Sequence, residues 1–163
     1  LNPDSGRILS DGSISWPVGF AGTFHPDLTG AQNVRFTARV YGVDSRQLIQ
    51  FAENFAELDD HFYEPVRNYS SGMKARLAFG LSMGIPFNTY LMDEVGAVGD
   101  SAFKEKSAAV LKERLKKSGA IMISHSLNKV RQLCDSGSVL ENGNLTYYED
   151  VEEAIHQYER NMR

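Results

Sequence analysis

Apolar positions recur at helical spacing through the first half of the chain and gather into compact runs in the second. From Ala31 to about Glu57 the pattern is helical. Val34, Ala38 and Tyr41 fall on one stripe, and Leu48, Phe51, Ala52 and Phe55 on another, with Gly42-Val43-Asp44 as a break between them. Asp59 to Tyr69 is polar and irregular, and Pro65 blocks a helix there. The stretch "NYSSGMKARLAFGLSM", Asn68 to Met83, then reads as an amphipathic helix opened by two serines and a glycine. Thr89 to Met92 is a short apolar strand ending in Asp93-Glu94, and Ser101 stands where it would cap a helix to about Lys117. That helix would turn Phe103, Val110, Leu111 and Leu115 inward.

"AIMIS", Ala120 to Ser124, is a compact apolar run of the kind buried in parallel sheets. It stops at His125, and a helix follows to Leu133. Ser138 to Tyr148 reads as a hairpin around Asn142-Gly143, and Val151 to Arg163 as a polar terminal helix. Near the start, Arg7 to Leu9 and Ser13 to Val18 read as a first hairpin around Asp11-Gly12, followed by a loop from Gly19 to Gly30. Phe24, Phe36, Phe51 and Phe55 are expected in the core. Two strands followed by helices predict right-handed crossovers in a parallel sheet, hence an α/β fold.

Composition narrows the function. The 163 residues are 42% apolar and 10% aromatic, enough for one domain with a core. A net charge of −4 disfavours a dominant nucleic-acid partner, which calls for a basic face. Cys134, the single cysteine, cannot close an internal disulfide, which points to a reducing compartment and a packing role. No apolar run approaches a membrane span, so no direct membrane insertion is expected. The chain opens on "LNPDSGRI", turn chemistry behind Leu1, so its amino terminus reads as a cut edge.

In parallel sheets the ligand crevice lies beyond the carboxyl ends of the strands, where Asp93-Glu94 and His125 both fall. Carboxylates there suit Mg²⁺, which takes one or two of them together with phosphate oxygens. A neighbouring glutamate can orient or deprotonate water, and a histidine can hydrogen-bond a phosphate. Charged strand ends and satisfied histidines are also common without function. Ser70, Ser71 and Gly72 carry the same two readings: a serine cap, or a helix start whose free N–H groups meet an anion.

Taken in order, these residues resemble the ATP-binding subunit of ABC transporters. "YSSGM", Tyr69 to Met73, resembles the signature motif, with Ser71 and Met73 where glycine and glutamine are usual. "YLMDE", Tyr90 to Glu94, resembles Walker B and the catalytic glutamate. "AVGD", Ala97 to Asp100, resembles the D-loop, and "MISHS", Met122 to Ser126, the switch histidine. The resemblance runs from about Ser13 to Ser126. "ISWPVGFAG", "SSGM" and "DEVGAVGD" resemble in particular the subunit that energises bacterial export of capsular polysaccharide, with O-antigen and teichoic-acid exporters close behind.

The resemblance implies a P-loop NTPase-like nucleotide-binding domain, a mainly parallel sheet with a small helical subdomain, incomplete at its amino terminus. Its parts would be residues 1–28 (remaining core and Q-loop region), 29–84 (helical subdomain and signature helix) and 85–163 (catalytic core, terminal hairpin and helix). Asp93 would hold Mg²⁺, Glu94 would polarise the attacking water, and His125 would contact the γ-phosphate. Ser70, Ser71 and Gly72 would bind the γ-phosphate of ATP held mainly by the opposite subunit of a head-to-tail homodimer. Asp100 would belong to the D-loop contacts across that dimer. Residues 29–84 would receive an integral membrane permease, with Phe20 and Phe24 near it, at the cytoplasmic face of the inner membrane.

Two departures qualify the pattern. No Q-loop glutamine lies between Ile14 and Pro26, and Gln32 comes too late. The motif G-x-x-x-x-G-K-[ST] occurs nowhere; "NPDSGRI" resembles the turn after the P-loop helix, which places the cradle before Leu1. A helix start stabilises an anion by roughly 0.3–2 kcal/mol, while micromolar affinity needs about 8 kcal/mol. The 163-residue chain alone is therefore expected to be inactive toward ATP. Its alternative reading is a catalytically silent interaction module. A DNA-repair or chromosome ATPase is disfavoured, because about 40 residues without sustained heptads separate Thr29 from the signature.

Overall fold

The computed structural model of the chain describes residues 3–22, 24–94 and 100–162. They form two compact units, Leu1–Ile121 and Met122–Arg163. In the first, β1 (Ile14–Pro17) runs parallel to β2 (Thr89–Asp93), and β3 (Gly119–Ile123), which starts in this unit and ends two residues past its boundary, completes the order β1-β2-β3. Register is set beside the strands. Asn88 Oδ1 accepts from both Ser13 N and Ser13 Oγ at 2.9 Å, and Ser13 O accepts from Asn88 N at 3.0 Å. A Cβ on Gly12 would lie 2.6 Å from the Asn88 side chain, so only glycine fits there.

That register corrects the first hairpin. Arg7 to Leu9 form no strand, and Ile8 and Leu9 are exposed. Apolar β-formers need a ladder partner, and β1 finds its partner in β2 rather than across the Asp11-Gly12 turn.

Three helices pack as a layer: α1 (Gly30–Val40), α2 (Ser45–Ala56) and α3 (Ser71–Gly84). A capping box starts α1, with Gln32 N donating to Thr29 Oγ1 and Thr29 N donating to Gln32 Oε1. Asp44 caps α2 through Arg46 N and Gln47 N. Gly42, at φ 67°, makes the turn between them. Two 3₁₀ turns, Asp59–Tyr63 and Val66–Asn68, carry the chain around Pro65 to α3.

Val34, Ala38, Leu48, Ala52, Phe62, Leu77 and Leu81 close this core. Phe55 sits at its centre, stacked on Phe51 and Phe79 and edge-on to Phe103 at 5.2 Å between centroids. Two expectations change here. Phe36 is 64% exposed, because it lies two residues from both Val34 and Ala38 and so faces away from them. The second half of α3, Leu77 to Met83, is buried all round rather than amphipathic. Its one polar member, Ser82, donates to Ala78 O and accepts from Gly19 N.

At the other end of the layer, Trp16 packs against Tyr41 and Phe87, with centroids 5.1 and 5.3 Å away. Helix α4 (Ser101–Leu115) buries Phe103, Ser107 and Leu111. Its cap is Asp100, not Ser101: Asp100 Oδ1 accepts from Phe103 N at 2.9 Å. β3 is also not the buried strand expected, since Ile121 and Ile123 are 58% and 66% exposed at the sheet edge.

The second unit holds α5 (Leu127–Leu133), the antiparallel hairpin of β4 (Gly137–Glu141) and β5 (Asn144–Tyr148), and α6 (Val151–Asn161). Asn142 and Gly143 both take positive φ, as a two-residue hairpin turn requires. Helix α6 is amphipathic, burying Val151, Ala154 and Ile155, with Val139 buried on β4. Arg131 Nε pairs with Glu152 at 2.9 Å. Cys134 follows α5, and burial pushes its thiol upward. Among the described residues no helix is long and apolar enough to cross a membrane.

Candidate active site

The seven residues singled out by sequence (Ser70, Ser71, Gly72, Asp93, Glu94, Asp100 and His125) are all exposed. Ser70 is the N-cap of α3, its Oγ accepting from Met73 N at 3.2 Å. The dull reading of that serine is thus correct, and it leaves the other one standing. A hydroxyl that accepts at a cap still has its own O–H to donate, and the first-turn N–H groups of a helix have no intrahelical acceptor. A Cβ on Gly72 would meet only Ser70 Oγ, at 3.8 Å, so the space above the turn is open. Behind it, Tyr69 is buried against Gly30 without completing a hydrogen bond, and burial pushes its phenol up to about 12.

Asp93 is the last residue of β2, at the carboxyl end of the sheet. Glu94 follows with φ 43°, a left-handed backbone that costs a non-glycine residue of order 1 kcal/mol and is concentrated at functional sites. Both of these successive carboxylates are exposed. Among the described residues, no three His, Cys, Asp or Glu side chains gather as a metal cage. The donor chemistry of Asp93 fits Mg²⁺ shared with a triphosphate, which needs few protein ligands.

Val95 to Gly99, and with them D-loop residues Ala97, Val98 and Gly99, lie outside the described residues. Asp100 is committed within the chain: Oδ1 caps α4, and Oδ2 accepts from Arg76 NH2 at 3.0 Å. The Phe103 N–H, and then the Arg76 charge, hold its carboxyl below the usual carboxylate range. His125 belongs to the second unit, just before α5, so it is described apart from the acids and the serine turn.

Sequence reasoning missed two residues. Arg76 lies six residues into the serine-glycine helix and joins it to Asp100; it is the second of two cations, after Lys74, ahead of an apolar helical run, and nothing in the sequence separates it from Lys74. Asn33 is buried under the loop that precedes α1. Its Oδ1 accepts from His25 N at 2.8 Å, and its Nδ2 donates to the carbonyls of His25, Leu28 and Thr29. Nothing in its sequence context marks it. Gln32, too late for the Q-loop role, is spent on the capping box.

No family model matches the chain. The polysialic acid transport ATP-binding protein KpsT of Escherichia coli is 50% identical to it over 159 residues, covering 96% of this chain and 71% of that protein. The ATP-binding protein BexA of Haemophilus influenzae is 47% identical over 161 residues, covering 99% and 74%. The capsule polysaccharide export ATP-binding protein CtrD of Neisseria meningitidis is 47% identical over 156 residues, covering 96% and 72%.

Among solved structures, an ATP-binding subunit of an ABC transporter superposes with a TM-score of 0.70 at 19% identity, over 84% of this chain and 59% of that one. A dimeric ATP-binding cassette bound to ADP and Pi gives 0.59 at 20% identity, over 80% and 62%. The chain thus spans about six tenths of the length of those structures, and at such identity they show the α/β nucleotide-binding fold alone. Identity of 47–50% across almost the whole chain goes further: the chain belongs to the ATP-binding subunits of ABC transporters, in the group named for transport of capsular polysaccharides.

Proposed function

We propose that this chain is part of the ATP-hydrolysing subunit that powers export of a capsular or related cell-surface polysaccharide across the bacterial inner membrane. The observation that carries this reading is the 47–50% identity, over 96% of the chain, to proteins named for polysialic acid transport and capsule export. The subunit works as a homodimer at the cytoplasmic face, docked on an integral membrane permease. Residues 29–84 form the helical subdomain that receives the permease, between residues 1–28 and the catalytic part at 85–163.

Within that assembly each side chain has one task. Ser70, Ser71 and Gly72 donate hydrogen bonds to the γ-phosphate of the ATP on the opposite protomer. Asp93 holds Mg²⁺, which supplies charge neutralisation at the phosphate oxygens when bound. Glu94, presented by its left-handed backbone, orients the attacking water and takes its proton. His125 donates to the γ-phosphate. Asp100 takes part in the D-loop contacts across the dimer; its oxygens cap α4 and accept from Arg76, and each keeps a second lone pair to offer.

The alternative, a silent module, draws on the absence of G-x-x-x-x-G-K-[ST] from the 163 residues. One comparison separates the two. In a subunit carrying both this chain and a phosphate-binding loop, Glu94→Gln lowers ATP turnover by about 10²- to 10⁴-fold while ATP binding survives. Unchanged turnover removes Glu94 from the mechanism. The 163 residues alone turn over no ATP, and steady phosphate release by the purified chain would contradict that.

A further inference from the structure

Helix α1 turns two arginines and two apolar side chains away from the core. Val34 and Ala38 are buried, so Arg35, Phe36, Arg39 and Val40 fall on the other side, and all four are exposed. Arg35 and Arg39 stand one turn apart, as do Phe36 and Val40, which makes two adjoining ridges along the helix. Phe36 is 64% exposed and Val40 62%. Single apolar residues in water are ordinary. A ring and a valine one turn apart, flanked by two cations, are an amphipathic surface of their own.

The charges around this face sharpen its character. The chain carries 21 acidic side chains, yet none lies between Leu28 and Val43. Arg67 pairs with Asp27 and Arg76 with Asp100, whereas among the described residues neither Arg35 nor Arg39 has a partner.

We infer that this face of α1 lies against the anionic lipid headgroups beside the permease. The inference rests on the proposed function, in which residues 29–84 meet a membrane-embedded partner, and it adds a second contact for which no helix need cross the bilayer. Guanidinium groups match phosphates in a bidentate fork, and their long stems reach beyond the helix. A phenyl ring beside them rests at the boundary of headgroups and acyl chains. A peptide partner calls for a groove to seat its side chains, which the outer ridge of a single helix does not supply. Alone the face is too weak to hold a protein, since even one acyl chain gives only marginal binding. Once the permease holds the subunit at the surface, the effective concentration of lipid is high and weak contacts count.

The intact subunit is titrated onto the permease in nanodiscs of phosphatidylcholine, with and without phosphatidylglycerol. Wild type binds the anionic discs about 25-fold more tightly, about fivefold for each arginine, and Arg35→Gln/Arg39→Gln loses that ratio. High salt has the same effect. A wild-type ratio near 1, or a ratio that the double variant keeps, overturns the inference. A fluorophore on Phe36→Cys, in a cysteine-free background, is quenched by lipids that carry a nitroxide on the headgroup. A cross-link from that position to the permease without quenching replaces the lipid by a protein seat and overturns the assignment.

Should the subunit bind the permease in neither lipid, the proposed function fails instead. The face is then read by itself, with the labelled subunit tethered through a histidine tag to nickel-chelating lipids. Quenching in anionic vesicles that drops with Arg35→Gln/Arg39→Gln supports the inference, and quenching equal in the two proteins ends it.

Discussion

Phe55 and Ile121 are apolar residues in regular elements of the same compact unit, yet one is 3% exposed and the other 58%. Phe55 is enclosed from three directions, by its own helix through Phe51, by α3 through Phe79 and by α4 through Phe103. Ile121 stands on β3, at the edge of a three-stranded sheet. The helical layer thus completes its own core, whereas the sheet presents an apolar edge of the kind that accepts a further strand or layer. For an ATP-binding subunit the contrast is instructive. The serine-glycine turn opens a helix of this closed layer, whereas in parallel sheets the strand ends are where ligands are met.

The largest test of that contrast is Phe55→Ala, which removes the ring shared by three helices. It costs about 3–5 kcal/mol, read from the urea midpoint; a cost below 1 kcal/mol would show that the layer is not closed around this residue. Asn33→Ala comes next. It strips the hydrogen bonds that hold the loop from His25 to Thr29 and costs about 2–3 kcal/mol. Hydrogen exchange localises that loss to the loop, and exchange unchanged there would exclude the role. Tyr69→Phe sharpens the picture in the opposite direction. It deletes a buried hydroxyl without a hydrogen bond, so stability stays level or rises by up to about 1 kcal/mol. Ile121→Thr is the smallest, within about 0.5 kcal/mol, because the side chain is already in water and threonine keeps the β-branch. A large loss in this chain would mean that the edge is covered.

The sequence was most legible where one local signal decided the outcome. The Gly42-Val43-Asp44 break, the Ser70 helix start and the Asn142-Gly143 turn all formed as read, because caps and two-residue turns are determined within four or five residues. It was least legible where a partner far along the chain decides. The stretch from Arg7 to Leu9 has strand composition but no ladder, since β1 pairs with β2 some 75 residues on. Phe36 looked like core by residue type, although its two-residue offset from Val34 already placed it on the outer face. Asp100 and Ser101 are both capping residues, and only the bond to Phe103 N separates them. Of the candidate site, the order of motifs was readable, but the part played by Arg76 was not. Ion pairs between α3 and α4 leave no periodic trace.

Trp16 is the chain's only indole, and it closes a triangle with Tyr41, at the end of α1, and Phe87, just ahead of β2. Its emission is therefore a built-in optical gauge of one joint, between the sheet and the far end of the first helix. A swing of the helices that opens this joint reddens the spectrum. A swing that pivots about the triangle leaves the colour unchanged, so one cuvette measurement locates the fulcrum.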